Sequence, residues 1–286
     1  MSEGRIESEN VFKAMKIRWP IFVLSIALIL STFFEKYLKI DSEILYYLLS
    51  GIFIIWIAKR NKMNIKNLVG KLPNFKDNIS PFGVFICVCI FSVASLLIIF
   101  FLMTFLIDIN RVVGLNSEVF SKIHTVKQTQ SLTKIILTVI DPILLAPVFE
   151  EIFFRGILLH RLSEKFNSIR IGIFLSSVLF GILHLWGFFG AFIFGVFTSV
   201  IYIKTKKLLV PILYHSLYNS YNVLMMFNST SNNSEIDFSE IGIVRMAFLI
   251  FGFIGISLTI PFIFRYVRKN ISESNNKLPY FINSLD

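Results

Sequence analysis

Apolar residues along this chain gather into eight long runs separated by short polar stretches. They lie near Trp19–Phe34, Ile44–Ala58, Pro81–Ile107, Leu132–Leu159, Ile171–Trp186, Ala191–Ile203, Leu208–Phe227 and Met246–Phe264. A helix of about 20 mainly apolar residues crosses a bilayer. The pattern therefore predicts an all-α, polytopic integral membrane bundle of about eight transmembrane helices. The second and sixth runs are short. The fifth and sixth would read as one helix, except that Gly187 and Gly190 frame a tight turn and make them a hairpin.

Composition sharpens this picture. Of 286 residues, 55% are hydrophobic and only 16% are charged, against roughly 25% charged in a soluble domain. Disorder is excluded and a soluble globule disfavoured. The run beginning at Trp19 follows a segment of mixed acids and bases and shows no small-residue cleavage pattern, so it reads as a retained span. Cys87 and Cys89 stand two apart in an apolar run, where on a helix they do not face each other. They read as fillers facing lipid or core, with no disulfide or metal framework.

The net charge of +10 could point to nucleic acid, so its placement decides. Lys13, Lys16 and Arg18 precede the first span. Lys59, Arg60, Lys62, Lys66, Lys71 and Lys76 fill the second loop. Arg161, Lys165 and Arg170 lie in the fourth, Lys204, Lys206 and Lys207 in the sixth, and Arg265, Arg268 and Lys269 after the last span. These are alternate loops on one side, and short basic loops are cytoplasmic. The stretch Asn228–Ile241 carries Glu235, Asp237 and Glu240 and no base, with Arg245 just beyond it. Both termini are thus predicted in the cytoplasm of a multi-pass cell-membrane protein. The partners implied are the lipid bilayer and no nucleic acid. The organisation is a cytoplasmic segment over 1–18, membrane helices and a long outer loop (Asp108–Ser131) over 19–131, a core over 132–227, and an outer loop, last span and polar tail over 228–286.

Ionisable groups at membrane depth are rare and mark function. On the fourth run, Glu151 and Arg155 stand four apart on one helix face, acid first, which favours an ion pair. Glu150 is rotated about 100° away and has no local partner. Such a desolvated carboxylate would hold its proton more tightly than usual, which suits a general base. Asp141 before Pro142 reads as an N-cap and first helical residue, making Leu132–Ile140 a separate lead-in. On the fifth run Phe180 and His184 share a face; on the seventh, His215 and Asn219 do. Each pair alone reads equally as helix packing. His124 and His160 fall in loops and receive no role. Together the intramembrane groups could hydrolyse, with a glutamate and a histidine activating water and a histidine and an amide holding an oxyanion. Glu150, His184 and His215 could alternatively ligate zinc, although no HExxH helix is present. Proton or ion translocation also uses such residues, but the internal repeat expected of a transporter is missing.

Glu150-Glu151-x-x-x-Arg155, Phe180-x-x-x-His184 and His215-x-x-x-Asn219, in that order, resemble the motif set of the CAAX prenyl endopeptidase and bacteriocin-processing family of intramembrane proteases. The resemblance covers roughly Leu132 to Phe227. It implies a glutamate-dependent endopeptidase opening to the cytoplasm and acting on a peptide or membrane-protein substrate. By carry-over Glu150 and His184 activate the water, and His215 and Asn219 form the oxyanion hole. Glu151, Arg155 and Phe180 support the site. No cofactor is expected, with zinc as the alternative because the family has often been described as metalloproteases. Richness in Phe, Ile, Lys and Asn suggests an AT-rich prokaryotic genome, in which prenylated substrates are not expected. The alternative function is a non-proteolytic membrane scaffold or a bacteriocin-immunity protein.

Overall fold

The computed structural model describes residues 42–106, 139–229, 241–273 and 277–285, together with 11–13, 15–16, 25–26, 29–31, 33–34 and 37. The described residues hold helices and no strand. In chain order these are α1 (Ser42–Arg60), α2 (Ile65–Val69), α3 (Phe75–Ile79), α4 (Phe82–Leu106), α5 (141–166), α6 (Ile169–Leu183), α7 (Phe188–Thr205), α8 (Leu209–Ser229), α9 (Ile241–Glu273) and α10 (Pro279–Asn283). Most of the first predicted span, the outer loop with His124, and the acidic stretch 230–240 lie outside the described residues.

Among the described residues three helices are long and apolar enough to cross a membrane: Phe75–Met103, Phe188–Thr205 and Ile243–Ser272; Ile169–Leu183 is a shorter apolar helix. The predicted spans at 44–58 and 208–227 and the described part of 132–159 overlap α1, α8 and α5, outside that set. In α5 and α8 the polar residues of the candidate site lower the hydropathy. On α9, Phe251, Leu258 and Phe262 are 64%, 64% and 63% exposed, an apolar face suited to lipid and not to water.

Local signals explain where helices start and stop. Asn64 and Asn74 cap α2 and α3, Asn74 reciprocally with Asp77 in a capping box. Ser168 caps α6 through the Ile171 amide. Asn167 and Lys206 end α5 and α7 in the left-handed region. The α6–α7 hairpin turns through a 3-10 stretch, Leu185–Gly187. Gly190 is not part of that turn. It lies inside α7, where an added Cβ would come within 2.9 Å of Ser92 on α4. Its small size therefore serves helix packing. Cys87 and Cys89 are free, partly buried and packed on the main core.

The basic loops converge at one end of the bundle. Tyr202 donates to the Leu68 carbonyl and the Leu208 amide to the Val69 carbonyl. Lys207 pairs with Asp77, and Lys204 reaches Ser80. Asn283 on α10 donates to the Asn67 and Lys206 carbonyls, both at 2.9 Å. The segment at Phe12 joins the same end, stacked on the His160 ring at 4.9 Å, and Arg161 donates to the Met15 carbonyl.

His160 is not in a loop, contrary to expectation. It lies on the last turns of α5, fully buried, beyond the predicted span. Its Nδ1–H donates to the Arg155 carbonyl at 3.0 Å, and its Nε2 accepts the Tyr280 amide at 3.1 Å. Protonating Nε2 would break the second bond. Burial is the main cause that pushes this imidazole down from 6.5 to about 4, with backbone hydrogen bonds opposing it. The unfolded chain binds a proton here below 6.5 and the folded chain only near 4, so stability falls as pH drops through that window. At about 1.4 kcal/mol per pH unit the loss is on the order of 3 kcal/mol. The unfolding midpoint of wild type in detergent should exceed that of His160→Gln by a margin that shrinks as pH falls from 6.5 to 4. A constant margin would contradict the neutral, buried imidazole.

Candidate active site

The site is built on α5, α6 and α8, and α5 is not a regular helix. It runs as a π stretch Asp141–Leu145, an α stretch Ala146–Glu151, a second π stretch Ile152–Leu158 and an α end Leu159–Phe166. The first widening contains Pro142, five residues before Pro147. The Ala146 amide bonds the Asp141 carbonyl, an i→i+5 link. An i→i+5 partner for the Pro142 carbonyl would be Pro147, which has no N–H. Asn219 on α8 supplies the donor instead, at 2.7 Å from Nδ2. Asp141 is therefore not an N-cap. Ile140 before it is already helical, no side chain caps the turn, and Asp141 is buried within the π stretch. Residues 132–138 of the predicted lead-in lie outside the described residues. Single-turn π widenings recur at functional sites, and here the two flank the adjacent glutamates.

Glu151 is the centre of the polar set. It is 0% exposed, and its Oε1 accepts from Arg155 Nη1 at 2.9 Å and from His215 Nδ1 at 2.8 Å. The i,i+4 ion pair expected from spacing is present. The bond to His215, from a distant helix, was not legible in the spacing. Arg155 Nη2 also donates to the Gly195 carbonyl on α7 at 3.4 Å. An added Cβ at Gly195 would stand 3.1 Å from Ser177, so glycine lets α7 approach α6 and brings that carbonyl to the buried guanidinium.

Glu150 points elsewhere. Its side chain is 25% exposed, its Oε2 lies 3.9 Å from His215 Nε2, and that oxygen has no hydrogen bond. Tyr46 on α1, which the sequence pattern did not single out, sits within electrostatic reach of Glu150. Phe149 stacks on Tyr47 of the same helix at 5.7 Å, so α1 covers this part of α5.

Phe180 is the spacer. Fully buried on α6, its ring lies 4.5 Å from the His184 ring and 5.7 Å from that of His215. Arg155 stacks over it at 4.5 Å, a contact that helps a buried guanidinium. His184 caps the C-terminus of α6 and donates through Nδ1 to the Phe180 carbonyl at 2.8 Å. That bond leaves Nε2 as the lone-pair nitrogen. His184 makes no hydrogen bond to Glu150. Asn219 has one amide hydrogen engaged by Pro142 and a second one left over.

Glu150, His184 and His215, the alternative zinc ligands, do not converge as a ligand set in this arrangement. Among the described residues no three His, Cys, Asp or Glu side chains gather around one point.

Comparison with known proteins agrees with the motifs. Residues 132–221 match the family described as "Type II CAAX prenyl endopeptidase Rce1-like". Over those residues the chain is similar to that family. The Rce1-like segment ends two residues past Asn219 and contains all seven candidate residues. The chain is also similar to "Putative membrane peptidase YdiL" of Bacillus subtilis (strain 168), 34% identical over 125 residues, or 43% of this chain and 49% of that protein. A second relative is "Uncharacterized 24.3 kDa protein" of Escherichia coli, 34% identical over 92 residues, 30% of this chain and 42% of that protein. The chain thus matches less than half the length of these curated relatives. No solved structure matches at comparable significance.

Proposed function

We propose that this chain is an intramembrane endopeptidase that hydrolyses a peptide bond near the face bearing the basic loops, the cytoplasmic side under the positive-inside reading. The observation that carries this is the buried Arg155–Glu151–His215 chain ending 3.9 Å from Glu150 Oε2. Buried charges must be paired. Arg155 supplies the opposite charge to Glu151, and His215 completes the chain through its Nδ1. Its Nδ1–H is held by Glu151, and its Nε2–H is free to meet an oxyanion.

A water within hydrogen-bond reach of Glu150 is the nucleophile. Its oxygen attacks the scissile carbonyl carbon while its proton passes to Glu150, assisted by the lone pair on His184 Nε2. The carbonyl oxygen becomes an oxyanion facing His215 Nε2–H and the remaining Asn219 amide hydrogen. The C–N bond then breaks, and the proton held on Glu150 moves to the leaving nitrogen. Phe180 keeps the two imidazoles and the guanidinium at their separations. No step is routed through zinc, because the three donors do not form a ligand set.

The test is to incubate purified protein, in vesicles, with apolar membrane peptides carrying cytoplasmic-side cleavage sites. Product masses are read with and without a strong chelator, and bound zinc is measured in parallel. Cleavage that survives chelation, in protein carrying far less than one zinc, is expected. Stoichiometric zinc with chelator-reversible loss of cleavage would reassign Glu150, His184 and His215 as ligands.

A further inference from the structure

Beyond the proteolytic reading, we infer that the groove between the C-terminal turns of α9 and the first turn of α6 binds the headgroup of an anionic phospholipid. The groove has a volume of about 970 Å³. Arg265, Arg268 and Lys269 line it from α9, and Arg170 lines it from α6. Spacing of three and four puts the α9 cations on one face of that helix. Arg170 comes from a separate helix, so folding has brought a fourth positive charge to the same hollow. No ion pair joins any of the four to a described carboxylate. Glu164 lines a neighbouring groove that shares Arg170, and Arg161 already lies in its field. Four cations facing one hollow repel one another, and a bound anion would relieve that repulsion.

Two observations select a lipid over a soluble anion. The groove sits at the end of the apolar helix Ile243–Ser272, the depth at which a span meets headgroups. Phe264 and Val267 form part of its wall, and Phe264 is 62% exposed beside 63% exposed Phe262 on the lipid-suited face. A phosphate held by guanidinium forks would therefore have its acyl chains beside an apolar helix surface. Basic pockets between membrane helices recognise such headgroups. Scattered snorkelling cations would explain any one of these residues, but not their meeting from two helices in one hollow.

The experiment compares the full chain in phosphatidylcholine vesicles, in phosphatidylcholine vesicles containing phosphatidylglycerol, and in phosphatidylcholine vesicles with inorganic phosphate. Retained lipid is counted by native mass spectrometry, and the unfolding midpoint is measured alongside. Wild type should retain phosphatidylglycerol and unfold at a higher temperature with it, while phosphate should not substitute. Arg170→Gln/Arg268→Gln/Lys269→Gln should lose this effect, with affinity falling about fivefold per cation removed. Lys59→Gln/Lys62→Gln/Lys66→Gln, an equal charge change elsewhere on the same end, should retain it. Equal loss in both triple variants would mean diffuse surface attraction and overturn the site. Stabilisation by phosphate alone would overturn the lipid assignment, and undiminished retention by the groove variant would overturn both. If that variant does not fold, the single substitutions Arg170→Gln and Arg268→Gln carry the same comparison. None of these readouts depends on proteolysis, so the failure of either proposal leaves the other standing.

Discussion

Glu150→Gln is expected to lower kcat by about 10²–10⁴-fold while leaving the protein folded. Its Oε2 has no hydrogen bond to lose, and the side chain is a quarter exposed, so an amide of nearly the same size fits. What is lost is the capacity to take a proton from water. His215→Ala and Asn219→Ala should each cost about 10²–10³-fold in kcat, with smaller effects on peptide binding, since an oxyanion exists only after attack. Asn219→Ala carries a second penalty, because the Pro142 carbonyl loses its donor. The carbonyl is only partly buried, so the penalty stays below the roughly 1–3 kcal/mol of a fully buried unpaired group, and unfolding midpoints must accompany the rates. The non-proteolytic scaffold predicts the reverse pattern, with Glu150→Gln complementing a deletion strain as well as wild type. Wild-type cleavage by Glu150→Gln would sink the general-base assignment.

The adjacent carboxylate should behave differently. Glu151→Gln and Arg155→Ala should each destabilise the fold, by about 3–5 kcal/mol, as well as inactivate it. Both groups are buried, at 0% and 1% exposure, and removing either leaves the other charged without its partner. Replacing both, as Glu151→Gln/Arg155→Met, removes the stranded charge. The double variant should therefore recover much of the lost midpoint while staying inactive, because His215 no longer has an ionised acceptor at Nδ1. Thermal unfolding and abundance of the three variants check this. Single variants as stable as wild type would mean that the pair carries no structural weight.

Much of this was legible from local pattern. Run length marked the helices, although polar α5 and α8 fall short of the apolarity of a simple span. Spacing of four marked the Glu151–Arg155 pair because that contact lies within one helix. Contacts between helices left no local trace. Nothing near Glu151 announces His215, and nothing near His160 announces Phe12 and Tyr280. The two prolines at 142 and 147 were visible, but Asp141-Pro142 matched a helix start so well that the widened turn was hidden. The five-residue interval announced only that the Pro142 carbonyl lacks a local donor, a place filled by Asn219 from another helix. The family motifs carried what geometry alone could not, since a shared pattern marks residues whose meeting lies beyond sequence distance.

The His160 seat has a consequence for biosynthesis. One wall of it, Phe12, is translated early, and the other, Tyr280, is translated late. The membrane helices can enter the bilayer in order as they are made, yet this seat cannot close until residue 280 has left the ribosome. Contacts of such long sequence separation form slowly. During that interval the imidazole lacks the Tyr280 amide as a donor to its Nε2. A reporter fused after residue 276 would therefore hold the chain in its unfinished state, and one fused after residue 286 would not.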